Sequence, residues 1–430
     1  MKPVRTFLFW MHLAAGAIAG AVILVMSLTG ALLALKPQIL AAVDADVRAI
    51  PAPAAGAARI GVQTMLDRVR EAAPRAQPSA ITLQADPTQA ASIALGREGT
   101  VYADPYTGRV TGSGSARAQA VFRSIEDWHR WLGASDENRA AARSVTGVCN
   151  LAFLALAITG PFLWLPRTWS WSTVRAVIWF RRQRSGRARD FTWHNAIGIW
   201  CAPVIVVLTL TGVVMSYPWA NDALYRLVGS APPLRPAGAG PRPGSSAERA
   251  SGAVIDLAEA WTIATERVPT WRSITLRLPP RGAGPVGLSI VDARSWNQFA
   301  RSQLTVSPAT SDATAHHAVK WEPYDESSRG QKLRGWFRFA HTGELFGLAG
   351  QLVAGVASAG GALLVWTGLS LAVRRLVAWR LWARLRVRAK SPRLADALPA
   401  SAVSRMSAAH SGSASNSEGP AASAAPGSAS

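Results

Sequence analysis

The 430-residue chain carries a formal charge of +21, yet only 17% of its residues are charged and 49% are hydrophobic. Much of the positive charge flanks long apolar runs, which is the pattern of a membrane protein, so no nucleic-acid partner is expected. Two cysteines, Cys149 and Cys201, both inside apolar runs, exclude a disulfide framework.

In chain order, residues 1–36 open with Lys2 and Arg5 and continue as an apolar run over 7–35. That run is far longer than the core of a secretion signal and predicts a retained first span. Residues 37–144 form a first module. In it, 60–73 has helical apolar spacing, and 81–83, 91–95 and 101–102 read as strands. The last strand meets the turn Asp104-Pro105-Tyr106-Thr107-Gly108 and returns at Arg109-Val110. A second span follows over 145–166, and then a basic loop, 167–195, with Arg167, Arg175, Arg181, Arg182, Arg184, Arg187 and Arg189.

The third span covers 196–217. The second module, 218–344, repeats the plan, with a helical stretch at 254–268 and strands at 273–276, 286–290 and 303–306 before a Ser307-Pro308 turn. A fourth span, 345–373, leads into the basic and then Ala/Ser/Gly/Pro-rich tail 374–430, which is expected to be disordered from Ser391. The three basic flanks belong on one face, which the positive-inside rule makes cytoplasmic. Both termini are then cytoplasmic, both modules are extracytoplasmic, and lipid headgroups are the partner of the basic segments.

The halves read as a duplication. Trp10…His12…Gly16 and Ser27-Leu28-Thr29-Gly30 in the first span match Trp193-His194…Gly198 and Thr209-Leu210-Thr211-Gly212 in the third, with the first Gly four and the second Gly 18 positions after the His in both. Spans two and four share Thr159-Gly160 and Thr367-Gly368. The expected fold is membrane α-helical: four spans as two span–module–span repeats, with two small α+β modules.

Seven histidines are present. His410 falls in the tail, and His316 and His317 read as a solvated loop pair. The other four pair by the duplication: His12 with His194 at one face, His129 with His341 at the other. A histidine at a span end ordinarily caps a helix or bonds a headgroup. Two imidazoles on facing helices can also hold a haem iron axially, and Gly16 and Gly198, one turn from His12 and His194, would make room for a porphyrin. Haem propionates would want cations such as Arg5, Arg130, Arg334 and Arg338, which interfacial anchoring explains equally well.

With Trp10…His12…Gly16, the strand and turn 102–110, Asp127-Trp128-His129-Arg130, Trp193-His194…Gly198 and His341-Thr342-Gly343, residues 1–375 resemble the PepSY-associated transmembrane proteins. The resemblance implies PepSY-like modules and a bacterial inner-membrane location. It also implies kinship with dihaem ferric-siderophore reductases and iron-regulated inner-membrane proteins, and carries axial ligation of two haem b groups to His12, His194, His129 and His341. The second module departs from the family pattern, because residues 304–311 lack the Asp-Pro and Gly of the first turn.

The expected function is electron relay from the cytoplasmic side to an extracytoplasmic acceptor, with ferric siderophore as the acceptor. No fused flavin domain is visible, so a separate cytoplasmic or quinol donor is required. The alternative is a non-redox PepSY membrane protein that binds or inhibits an extracytoplasmic partner protein. A metal transporter ranks last, for want of mid-span Asp or Glu.

Overall fold

The structure is a computed structural model that describes residues 2–74, 77–164, 170–181, 183, 185–233, 255–279, 284–295, 297, 299–308 and 317–389. Arg167, Arg182, Arg184, His316, residues 309–311 after the second turn, and the tail with His410 lie outside the described residues.

Helix α1 spans Lys2–Ala34 and runs on through α2 (Lys36–Val43) and α3 (Ala45–Arg48) to α4 (Val62–Ala72). Strands β1 (Ala80–Gln84), β2 (Ala91–Ala94), β3 (Thr100–Ala103) and β4 (Val110–Ser113) follow, then α5 (Ala116–Trp131) and α6 (Arg139–Trp164). A short α7 (Trp171–Ile178) precedes α8 (Gly186–Ser216), α9 (Pro218–Leu227) and α10 (Leu257–Arg267). Strands β5 (Trp271–Arg277), β6 (Val286–Asp292), β7 (Arg301–Pro308) and β8 (His317–Glu322) lead to α11 (Arg329–Thr342) and α12 (Gly347–Ala389).

Among the described residues, four helical stretches are long and apolar enough to cross a membrane: Pro3–Ala34, Ala116–Trp164, Gly186–Ser216 and Glu344–Leu385. Their backbones satisfy their own hydrogen bonds, which is the condition for life in hydrocarbon. Phe7, Ile18, Leu32, Val148, Ile158, Trp200, Val356 and Trp366 stand exposed on them, the outward apolar face that lipid covers. Apolar runs locate these helices but not their ends. The structure extends α6 back to Arg139, α8 back to Gly186 and α12 forward to Ala389, because polar residues at a membrane surface continue a helix as readily as apolar ones.

The strands correct a second expectation. The sequence predicts two separate small sheets; the described residues instead form one eight-stranded sheet in the order β4-β3-β2-β1-β5-β6-β7-β8. The two first strands join at its centre. Antiparallel register sets Thr82 opposite Thr275, with Ile81 on Leu276 and Leu83 on Ile274, so like segments oppose each other about a local two-fold. The Thr82 and Thr275 hydroxyls hydrogen-bond across the seam at 2.9 Å.

Alternation gives the sheet one apolar face, bearing Ile81, Ile93, Ile274, Leu276, Leu288 and Leu304. On it pack Met65 and Leu66 of α4 and Ala260 and Ala264 of α10. Each fully buried large side chain contributes about 1.5–3 kcal/mol. His317 is corrected too: it is the first residue of β8, with its backbone opposite Pro308, not part of a loop.

The Asp104–Gly108 turn is structural. Asp104 accepts from the Tyr106 amide at 2.8 Å and the Thr107 hydroxyl at 2.9 Å, and the Gly108 amide bonds the Asp104 carbonyl. Gly108 sits at φ 73°, where a side chain would also collide with Ile60. The Pro105 carbonyl accepts from the Ile60 amide, which ties the hairpin to the approach of α4.

Candidate functional site

Membrane helices place polar side chains where a partner on another helix exists. His12 is on α1 and His194 on α8, and their ring centres lie 6.5 Å apart at an interplanar angle of 84°. His129 is on α5 and His341 on α11, with ring centres 6.4 Å apart at 57°. All four predicted site residues thus meet, in the expected pairs. His12 and Thr29, and likewise His194 and Thr211, are 17 residues apart. Because Thr29 touches His129 and Thr211 touches His341, the two pairs are separated along the bundle by about 25 Å.

α5 and α11 are helices separate from α6 and α12, which they lead into, although α5 falls inside the stretch Ala116–Trp164. Each is a short helix laid against the sheet-side end of α1 or α8, and each ends in the left-handed region, at Leu132 (φ 53°) and Gly343 (φ 75°). The chain then turns into α6 or α12. This sharp stop fixes His129 and His341 beside the threonines of the neighbouring helix.

Each of these four histidines has a threonine at Nδ1. His12 meets Thr159 Oγ1 at 3.0 Å, His194 meets Thr367 at 3.0 Å, His129 meets Thr29 at 2.9 Å and His341 meets Thr211 at 3.1 Å. Each hydroxyl donates its proton one turn back in its own helix: Thr29 to Val25, Thr159 to Ala155, Thr211 to Val207 and Thr367 to Leu363, all at 2.6–2.7 Å. With its proton committed, the hydroxyl oxygen accepts from Nδ1–H. For His341 the Leu208 carbonyl, 2.9 Å from Nδ1, also accepts, and a carbonyl can do nothing else. The neutral tautomer is therefore Nδ1–H, leaving the Nε2 lone pair of each ring unused by these contacts.

Sequence reasoning noticed the Thr-Gly dipeptides only as marks of repetition. The structure gives both residues work. The threonines orient the rings, and the glycines clear space for them: a Cβ on Gly30 would lie 3.3 Å from His129 Cε1, on Gly160 3.7 Å from His12 Cε1 and on Gly368 3.2 Å from His194 Cε1. Gly212 differs, since it clears Asn150. Gly16 and Gly198 touch no histidine; added methyls there would meet only Leu156 at 4.0 Å and Leu364 at 3.7 Å. They leave loosely filled flanks one turn from His12 and His194.

Two bonds of about 2 Å from one metal to two imidazoles, plus the ring radii, put ring centres about 6 Å apart, close to both observed separations. Among the described residues no third His, Cys, Asp or Glu joins either pair to complete a protein-only metal site. A planar macrocycle that brings its own four equatorial nitrogens fits this donor set; a bare ion does not.

Of the cations considered for propionates, Arg5 donates to the Leu163 carbonyl and Arg130 lies over the Trp131 ring at 4.4 Å, both ordinary anchoring contacts. Arg334 donates to Asn221 Oδ1 at 2.8 Å.

Fold and site together define a multi-pass membrane protein with an eight-stranded sheet and two facing pairs of histidines. Residues 9–375 match the family described as PepSY-associated TM region, and the chain belongs to that family. No curated protein matches the chain.

Proposed function

We propose that the protein is a b-type dihaem electron carrier of the bacterial inner membrane, built from two copies of a span–PepSY-like module–span unit. The observation that carries this reading is the geometry of the four histidines: two facing pairs at metal-bridging separation, each ring held by a threonine with Nε2 free. His12 and His194 would hold one haem, His129 and His341 the other. Bound haem supplies one-electron redox chemistry at iron. The chain's own residues orient the imidazoles, fix their tautomer and keep the two sites at opposite ends of the bundle.

With the basic flanks in the cytoplasm, the His12–His194 pair faces the donor side and the His129–His341 pair the outer side. Electrons then pass outward, from a separate cytoplasmic or quinol donor to an extracytoplasmic acceptor, for which ferric siderophore is our candidate. The family resemblance, and no feature of the site, supports that acceptor.

The test is the absorption spectrum of the detergent-purified protein, oxidised and dithionite-reduced. A Soret band with sharp α and β bands on reduction, at two haems per chain, is expected. His12→Ala or His194→Ala should remove one haem, and His129→Ala or His341→Ala the other. Haem-free protein from haem-replete cells would refute the reading and leave the extramembrane sheet, with its own core, as a partner-binding body.

A further inference from the structure

The second half of the chain places cations beside the His129–His341 pair that the first half does not. On α11, Arg334 and Arg338 lie seven and three residues before His341, in one helical stripe. The residue three before His129 on α5 is instead Glu126, which is taken up by an ion pair with Lys36. β7 begins at Arg301, and its lead-in is fixed to α11 by Phe299 stacked on Phe339, with ring centres 3.5 Å apart and an interplanar angle of 17°. That stack brings Arg301 next to Arg338.

Among the described residues these charges have no counter-ion at contact distance. Arg334 is held by a neutral amide oxygen, Asn221 Oδ1. Among the described residues no carboxylate stands within ion-pair distance of Arg301, Arg334 or Arg338, and Glu344 acts on Arg301 only from further away. Desolvation, then the neighbouring Arg338 and Arg277 guanidinium groups, hold Arg301 below the ordinary arginine range. Desolvation also lowers Arg334; Arg338 adds to this and Tyr225 opposes it. Like charges gathered without a partner cost free energy that an anion would recover. Arg301 and Arg338 are exposed, so an anion can reach them.

We infer that Arg301, Arg334 and Arg338 form a carboxylate-binding site beside the His129–His341 pair. Guanidinium forks match carboxylates in bidentate fashion, which favours this chemistry over a diffuse cloud of counter-ions. Two sources carry such a group: the propionate of a haem held by the pair, which rests on the dihaem reading, or a soluble polycarboxylate from the outer face, which does not.

The experiment uses full-length purified protein, Arg301→Gln, Arg338→Gln, the double variant and Arg338→Lys, with redox titration of each haem and calorimetric titration with citrate. If the source is propionate, the glutamine variants lower the midpoint or occupancy of one haem only, since loss of a nearby cation favours the oxidised iron, and Arg338→Lys restores it. If the source is soluble, citrate binds the parent protein, binds the double variant about tenfold more weakly or worse, and leaves the midpoints unmoved. A double variant indistinguishable from the parent in both titrations overturns the site. Should the protein prove haem-free, the dihaem reading fails at its Soret band and citrate alone decides: weakened binding in the double variant supports the site, and no binding to the parent overturns it.

Discussion

A threonine inside a membrane helix usually spends its hydroxyl on the carbonyl one turn back, and Thr29, Thr159, Thr211 and Thr367 all do so. What remains is an oxygen that can only accept, set against an imidazole. Valine has the same shape without that oxygen. On the dihaem reading, Thr367→Val should therefore lower haem occupancy at His194, with about tenfold or greater loss of affinity, while Thr367→Ser retains it. Haem titration of apo-protein measures both. The glycines make a finer prediction. Gly368→Ala brings a methyl to 3.2 Å from His194 Cε1 and should disturb that haem's spectrum, whereas Gly160→Ala, at 3.7 Å from His12, should be tolerated. The histidines themselves were legible in the sequence, through matched spacings. Their threonine partners were not, because each contact joins residues 100 or more positions apart, from His129 and Thr29 to His194 and Thr367. Periodicity speaks only of neighbours along one helix.

At the scale of elements, α11 decides where His341 lies, and its position depends on a close approach near its start. Gly330 is buried against the Tyr225 ring of α9, and any Cβ there would overlap that ring. Gly330→Ala should cost about 1–3 kcal/mol through forced displacement of the helix. It should also lower occupancy of the His129–His341 haem while sparing the other; thermal unfolding followed at the two haem signals separates these effects. The long helices and most strands were readable from apolar spacing, as were the helical stretches that became α4 and α10, but the short α7 and α9 were not. The join of β1 to β5 was not. Alternation says which face of a strand is buried and nothing about which distant edge it pairs with. β8 escaped for a different reason: His317-Ala318-Val319-Lys320-Trp321-Glu322 is a short edge strand, half polar or charged, that follows a run of small and polar residues in the sequence, so the stretch reads as a loop.

At the scale of the whole molecule, four spans and one sheet must agree on which side is out. Orientation rests on Arg175, Arg181, Arg187 and Arg189 before and within the start of α8, and on Arg374, Arg375 and Arg380 late in α12. Alkaline phosphatase fused after residue 133 should be active, and fused after residue 179 inactive. The reverse pattern would invert the direction of electron flow proposed above.

The division of labour between halves has a further consequence. Each histidine takes its threonine from its own half, His12 and His129 from α6 and α1, His194 and His341 from α12 and α8. Each pair, in contrast, joins one half to the other. During synthesis the ribosome has therefore released every orienting contact of the first half long before either pair can close. The first pair waits for His194, with its threonine on α12, and the second for His341. On the dihaem reading proposed above, haem loading is accordingly a late event in biogenesis, after the last helix has entered the bilayer. A nascent chain stalled before residue 194 would carry two well-oriented histidines and no complete site.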